Sequence, residues 1–128
     1  MDAPTKRLVR ERAGDRCEYC RLHQDQSPLA VLQIEHVIPR KHLGDDSPEN
    51  LALACIDCNL AKGPNLTGLD PESGALTELF HPRHQVWAEH FVQIGPLIIG
   101  KTAVGRTTVQ VLNMNSDDQV ALRQLGGQ

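Results

Sequence analysis

The hydrophobic positions of this chain form short segments separated by polar turns. β-branched residues recur in the segment from Val31 to Ile38, and Pro39 ends the run, so we expect a strand that ends near Pro39. A second short apolar segment, Asn50 to Ala54, predicts a partner strand. The residues from Ile56 to Lys62 favour a short helix, because Gly63-Pro64 stops the segment. Strand, connection, strand and helix together predict a ββα unit.

The flanking segments predict further helices and strands. An N-terminal helix is expected from Thr5 to Gly14. Beyond a turn at Asp70 to Gly74 we expect strands at Leu76 to Phe80 and Phe91 to Ile99, then helices at Ala103 to Met114 and Asp117 to Leu125, with Thr102 and Ser116 as N-caps. The prediction is an α+β protein with a core at residues 1–66. Residues 67–128 would form a C-terminal α/β extension that packs on the core and is not an independent domain.

Composition excludes several classes of protein. Hydrophobic residues make up 40% of the 128 positions, which is ordinary for a globular protein and argues against disorder. No apolar run approaches the ~20 residues needed to cross a bilayer, and the N-terminal residues lack the apolar core of a signal peptide. We therefore expect a cytoplasmic protein that does not contact membranes.

The formal charge of −3 disfavours binding nucleic acid by bulk attraction, but the charges are unevenly distributed. Residues 1–21 carry six basic and four acidic side chains, whereas residues 63–128 carry four basic and six acidic ones. A phosphate-facing surface is therefore expected in the N-terminal half, although a solvated helix face would explain the same charges. The chain has two Phe, one Trp and one Tyr, so recognition by stacking on many unpaired bases is disfavoured.

The four cysteines form two CxxC pairs, Cys17/Cys20 and Cys55/Cys58, with 34 residues between the pairs. Each CxxC turn can direct two thiolates at one point, and four thiolates suit tetrahedral Zn²⁺ with no open coordination position. Disulfides or buried thiols are the alternatives, and the expected reducing compartment disfavours disulfides. We therefore predict a structural zinc site.

The segment between and around these pairs resembles the HNH endonuclease family, also known as ββα-metal nucleases. The matching residues are Glu35-His36-Val37-Ile38-Pro39, Asn50-Leu51 and Cys55 to Lys62, and Asn50 and Asn59 follow His36 by 14 and 23 residues. The resemblance covers residues 17–64. It implies a ββα-metal core stapled by the zinc site of the four cysteines.

The resemblance also implies a role for each matching polar residue. His36 would be the general base, a task that suits a side chain titrating near neutrality. Glu35 and Asn59 would hold one Mg²⁺ or Mn²⁺, because these ions prefer oxygen ligands. Adjacent residues of a regular strand point to opposite faces, so Glu35 and His36 can converge only at a bulge or a strand end. Asn50 would brace the loop that carries His36.

The expected function is metal-dependent hydrolysis of DNA phosphodiester bonds, with RNA as a less favoured substrate. Arg40 and Lys62 are candidates for phosphate contacts, and a solvated surface role is the alternative for both. The competing interpretation is a noncatalytic, zinc-stabilised nucleic-acid-binding module. One such site cuts one strand, so double-strand cleavage would need a dimer or two nicks, and the sequence leaves the oligomeric state open.

Overall fold

The computed structural model describes residues 1–27 and 29–125. Within these ranges the helices are α1 (Ala3–Ala13), α2 (Ile56–Lys62), α3 (Trp87–His90), α4 (Ala103–Leu112) and α5 (Asp117–Leu125). The strands are β1 (Gln33–His36), β2 (Leu51–Ala54), β3 (Thr67–Leu69), β4 (Leu76–Glu78), β5 (Phe91–Ile94) and β6 (Leu97–Gly100). The strands form small two-stranded antiparallel sheets among the helices, which confirms the α+β class. Each helix in the described ranges is too short or too polar to cross a membrane.

Helix α1 lies where the sequence predicted a helix, but it begins two residues earlier. Asp2 is the N-cap, and its side chain accepts a hydrogen bond from the Thr5 N–H at 2.8 Å. The helix ends at Gly14, whose φ of 63° is the left-handed conformation that glycine adopts without strain. Val9 is fully buried and anchors the helix to the core.

The ββα unit is present, with a shorter first strand than expected. Strands β1 and β2 pair with Gln33 opposite Ala54 and His36 opposite Leu51. The predicted strand end near Pro39 is wrong, because β1 ends at His36 and Asn50 supplies the next two hydrogen bonds. The Asn50 carbonyl oxygen accepts from the Val37 N–H at 2.9 Å, and its side-chain oxygen then accepts from the next N–H. All residues of β2 are buried, so this small sheet lies inside the core.

The C-terminal extension contains two hairpins followed by two longer helices. The strand expected from Phe91 to Ile99 is a hairpin, because Gly95, with a φ of 59°, makes a turn between β5 and β6. Helix α4 packs so closely that a Cβ on Gly105 would lie 2.0 Å from the carbonyl oxygen of His90. Thr102 and Ser116 both accept capping hydrogen bonds, as predicted. Strand β3 and helix α3 span three and four residues, and the sequence did not predict them.

Polar contacts join the extension to the core. The Trp87 indole N–H donates to the Tyr19 carbonyl oxygen at 2.7 Å. Helix α5 places the side-chain amide of Gln119 next to the sulfur atoms of Cys20 and Cys55, at 3.5 and 3.3 Å. The division of the chain at residue 66 stays a prediction.

Candidate functional site

The four cysteines form one buried cluster. Their Sγ atoms all lie within 4.8 Å of one another, and Cys20 Sγ is 3.7 Å from Cys55 Sγ. A disulfide requires a sulfur–sulfur distance of about 2.05 Å. A tetrahedron with zinc–sulfur bonds of about 2.3 Å has sulfur atoms about 3.8 Å apart. The geometry therefore fits four thiolates around one metal ion.

The surroundings of the cluster suit negatively charged sulfur. The backbone N–H groups of Cys20 and Cys58 point at Cys17 Sγ and Cys55 Sγ, both at 3.4 Å, and the Gln119 amide adds a side-chain donor. Burial raises the pKa of the Cys17 thiol well above its usual value, because a desolvated thiolate is costly without a nearby positive charge. A divalent cation would supply that charge, so the donor set fits a soft metal at this position.

His36 lies at the end of β1, beside a cleft of about 320 Å³ that is also lined by Glu35, Arg40 and Asn59 and is called the His36 cleft below. His36 Nε2 is 2.6 Å from Asp46 Oδ1, and Asp46 also accepts hydrogen bonds from Arg40 at 2.7 and 2.9 Å. These contacts hold the pKa of Asp46 below its usual range, and the hydrogen bond with His36 has the largest effect. An ionised carboxylate can only accept, so in the neutral form of the imidazole the proton lies on Nε2 and the lone pair on Nδ1.

Asp46 is a candidate site residue that the sequence analysis missed. It follows His36 by ten residues in the polar turn Gly44-Asp45-Asp46-Ser47-Pro48. Acidic residues are common in turns, so composition alone gave no reason to pair this one with His36. The signal was the closeness of the turn to the end of β1, which only the fold specifies.

Asn50 joins the segment after His36 to the turn that carries Asp46. Its Oδ1 accepts from the Ile38 N–H at 2.9 Å, and its Nδ2 donates to the carbonyl oxygens of Ile38 and Asp45 at 3.0 and 2.8 Å. Gly44 is needed beside it, because a Cβ there would lie 1.6 Å from the Ile38 carbonyl oxygen. The bracing role expected of Asn50 stays a prediction, and these three hydrogen bonds support it.

Glu35 lies on the buried side of β1 and is 6% exposed. Its carboxylate accepts hydrogen bonds from the Tyr19 hydroxyl and from Lys62 Nζ, the latter at 3.3 Å. Burial raises the pKa of Glu35, and the opposing effect of Lys62 is smaller. Tyr19 belongs to the first CxxC turn, so this contact links the cysteine cluster to β1.

The structure does not support a phosphate contact for Lys62. This side chain is 2% exposed, and its Nζ donates to the Val37 carbonyl oxygen at 2.8 Å as well as to Glu35. Lys62 is four residues after the buried Cys58 in α2, so both lie on the inward face of the helix. Arg40, by contrast, is 71% exposed and pairs with Asp46, and its expected phosphate contact stays a prediction.

Asn59 faces the same cleft as Glu35 and His36. Its Nδ2 donates to Gln33 Oε1 at 2.7 Å, which leaves its own Oδ1 as an acceptor. Strand β1 pairs with β2 residue for residue and has no bulge, so Glu35 and His36 leave opposite faces. Both nevertheless border the cleft, because the strand ends at His36. Glu35 and Asn59 could both bind a hard cation only if the Glu35 carboxylate also contacts the ion beside Lys62 or gives up its hydrogen bond with Lys62.

Comparison with known proteins shows which family this part of the chain is similar to. Residues 17–65 match the model of the family described as HNH endonuclease, which confirms the resemblance seen in the sequence. The matched segment contains both CxxC pairs and the residues of the His36 cleft, and an HNH domain indicates a nuclease-type function.

A curated relative extends the similarity beyond this segment. Septu protein PtuB from Bacillus thuringiensis is 26% identical over 121 residues, which are 90% of this chain and 42% of that protein. The chain therefore spans about two fifths of the length of that relative. No solved structure matches the chain.

Proposed function

We propose that this protein is a divalent-cation-dependent endonuclease that hydrolyses phosphodiester bonds of DNA. The main support is the hydrogen bond of 2.6 Å between His36 and Asp46. It lies beside a cleft that Glu35 and Asn59 line, within the segment that matches the HNH family. An imidazole oriented by a carboxylate next to oxygen donors is the set of groups that hydrolysis of a phosphodiester needs.

His36 would act as the general base. Asp46 holds the imidazole proton on Nε2, so Nδ1 can accept a proton from a water molecule. The water oxygen forms a bond to phosphorus, and the bond between phosphorus and the 3′ oxygen breaks. The 3′ oxygen leaves with the electron pair and takes up a proton from solvent. The products are a 5′-phosphate and a 3′-hydroxyl end.

Two metal ions are part of this proposal. Zn²⁺ in the cluster of Cys17, Cys20, Cys55 and Cys58 would be structural, because all four ligands come from the protein. Mg²⁺ or Mn²⁺ held by Glu35 and Asn59 would supply positive charge to the phosphate and the leaving oxygen. The hydrogen bond from Asn59 to Gln33 uses the amide nitrogen of Asn59 and keeps its carbonyl oxygen available.

A noncatalytic nucleic-acid-binding module is the second candidate. The exposed basic side chains of α1 would serve binding alone equally well. Binding does not, however, require an oriented imidazole beside two oxygen donors, so we favour the enzyme.

A plasmid-nicking assay tests the proposal. With Mg²⁺ or Mn²⁺, we expect supercoiled plasmid to become open-circular, because one site cuts one strand. EDTA added at the start should stop the reaction, and an RNA of matched length should be cut more slowly. Intact plasmid at every divalent cation tested, with folded and zinc-loaded protein, would favour the binding module.

Asp46→Asn should lower kcat for nicking by roughly 10- to 100-fold with little change in KM, because the imidazole loses the anion that orients it. Asp45→Asn is the matched control, since it removes the same charge one residue away, and the Asp45 carboxylate accepts from Ser47 rather than from His36. Steady-state nicking rates of both variants provide the measurement. Equal rates in the two variants would contradict the role of Asp46.

A further inference from the structure

A second concave surface adjoins the His36 cleft, between helix α1 and strand β1. This surface, the α1 groove, has a volume of about 510 Å³ and is defined by Lys6, Arg10, Val31, Gln33, Ile34 and Ile56. Its lining contains two cationic side chains and no acidic one. A groove of this charge would attract an anion.

Within the described part of the chain, the cations of the groove form no side-chain hydrogen bond or ion pair. Three of the six basic residues in residues 1–21 have guanidinium contacts within the fold: Arg12, Arg16 and Arg21. The other three, Lys6, Arg7 and Arg10, form no side-chain hydrogen bond or ion pair within residues 1–27 and 29–125. Lys6 and Arg10 are four residues apart and so lie on one face of α1, about 6 Å apart along its axis. Arg7 is exposed on the same helix but does not line the groove.

The α1 groove continues into the His36 cleft. Ile34 lines both, and Gln33 of the groove is hydrogen-bonded to Asn59 of the cleft at 2.7 Å. Strand β1 is therefore a common floor. From Gln33 to His36 it spans about 10 Å at 3.3 Å per residue, so one DNA strand could contact both the groove and the cleft.

Apart from Gln33, the remaining side chains that line the groove are apolar. Val31 and Ile56 are 65% and 38% exposed, which is high for aliphatic side chains beside two unpaired cations. A nucleic-acid strand has the matching pattern, with charged phosphates on one side and the carbon atoms of the sugars on the other. A free inorganic anion would contact the cations but not the apolar side chains of Val31 and Ile56.

We infer that the α1 groove binds the phosphodiester backbone of the DNA strand to one side of the bond that is cut. Lys6 and Arg10 contact two phosphates there, and Val31 and Ile56 contact sugars. The position relative to the cut rests on the proposed nuclease function, whereas the binding does not.

The test measures binding, so that it does not depend on cleavage. A fluorescently labelled 20-base-pair duplex is titrated with His36→Ala protein over a range of salt concentrations, and anisotropy gives the affinity. In that background Lys6→Gln/Arg10→Gln is compared with Arg7→Gln/Lys101→Gln. The control pair also removes two charges, one from the same helix and one from the extension, and neither residue lines the groove.

We expect the groove variant to flatten the dependence of log affinity on log salt concentration by about 1.8, since each lost phosphate contact contributes about 0.9. Its affinity at low salt should fall by roughly 10- to 100-fold. The control variant should retain most of the affinity and most of the salt dependence. An unchanged slope in the groove variant, or equal losses in the two variants, would overturn the inference.

The two proposals can fail separately. If the wild-type protein nicks plasmid but the groove variant keeps the wild-type salt dependence of binding, the inference about the groove fails and the proposed nuclease function stands. If the wild-type protein does not nick plasmid but the groove variant loses affinity as expected, the proposed nuclease function fails and the inference about the groove stands.

Discussion

His36→Ala should reduce the rate of plasmid nicking by a factor on the order of 10² to 10⁴, to background in a standard assay, because the variant lacks the imidazole that takes the proton of the attacking water. The protein should remain folded, since His36 is partly exposed and its side chain pairs with the half-exposed Asp46. Nicking rates, circular dichroism and DNA anisotropy together provide the measurement. Loss of activity with retained folding and DNA binding is the expected result.

His42→Ala is the matched control for this experiment. His42 is exposed in the short 3₁₀ turn Arg40–His42, six residues after His36, and does not line the His36 cleft. It should nick plasmid at the wild-type rate. Undiminished turnover by His36→Ala would remove the general base from the proposed mechanism.

Cys58→Ser should lose zinc and unfold the protein at 25 °C. Binding of a structural zinc ion contributes on the order of 10 kcal/mol to folding, and a domain of this size has a total stability of about 5 to 15 kcal/mol. Cys58 is fully buried in α2, so the serine would also place a hydroxyl in the emptied site. Zinc content by elemental analysis and the circular dichroism spectrum provide the measurement.

Leu60→Ser is the control for the helix itself. Leu60 lies two residues further along α2 and is 73% exposed, so its replacement tests the cost of a serine in this helix without touching the cluster. It should keep one zinc per chain and unfold at a temperature only slightly below that of the wild-type protein. A Cys58→Ser protein with wild-type stability, or folded wild-type protein without zinc, would refute a structural metal at the four cysteines.

Sequence alone predicted the parts of this fold that depend on residues close together in the chain. The CxxC spacing, the β-branched run before Pro39 and the Gly63-Pro64 stop are all local signals, and the ββα unit follows from them. The short β3 and α3 were missed because segments of three and four residues carry no recognisable period. Gly95 was a stronger signal, since an isolated glycine in an apolar run can mark a turn.

Contacts across the fold were harder to predict. The hydrogen bond between His36 and Asp46 depends on how the polar turn folds back on the strand end, which neither segment determines by itself. The burial of Lys62 could have been predicted from the sequence. A helix that places Cys58 on its inward face also places the residue four positions later there. The general preference of lysine for the surface outweighed that argument.

The hydrogen bonds from Gln119 to Cys20 and Cys55 span 99 and 64 residues of the chain. At about 5 to 20 residues per second, roughly 5 to 20 seconds of translation separate the first cysteine pair from the helix that covers it. During that interval Gln119 cannot cover the sulfur atoms of Cys20 and Cys55. If the cluster holds a metal ion, the supply of that ion and of reducing equivalents would therefore matter most during translation, because the four cysteines are buried in the folded protein.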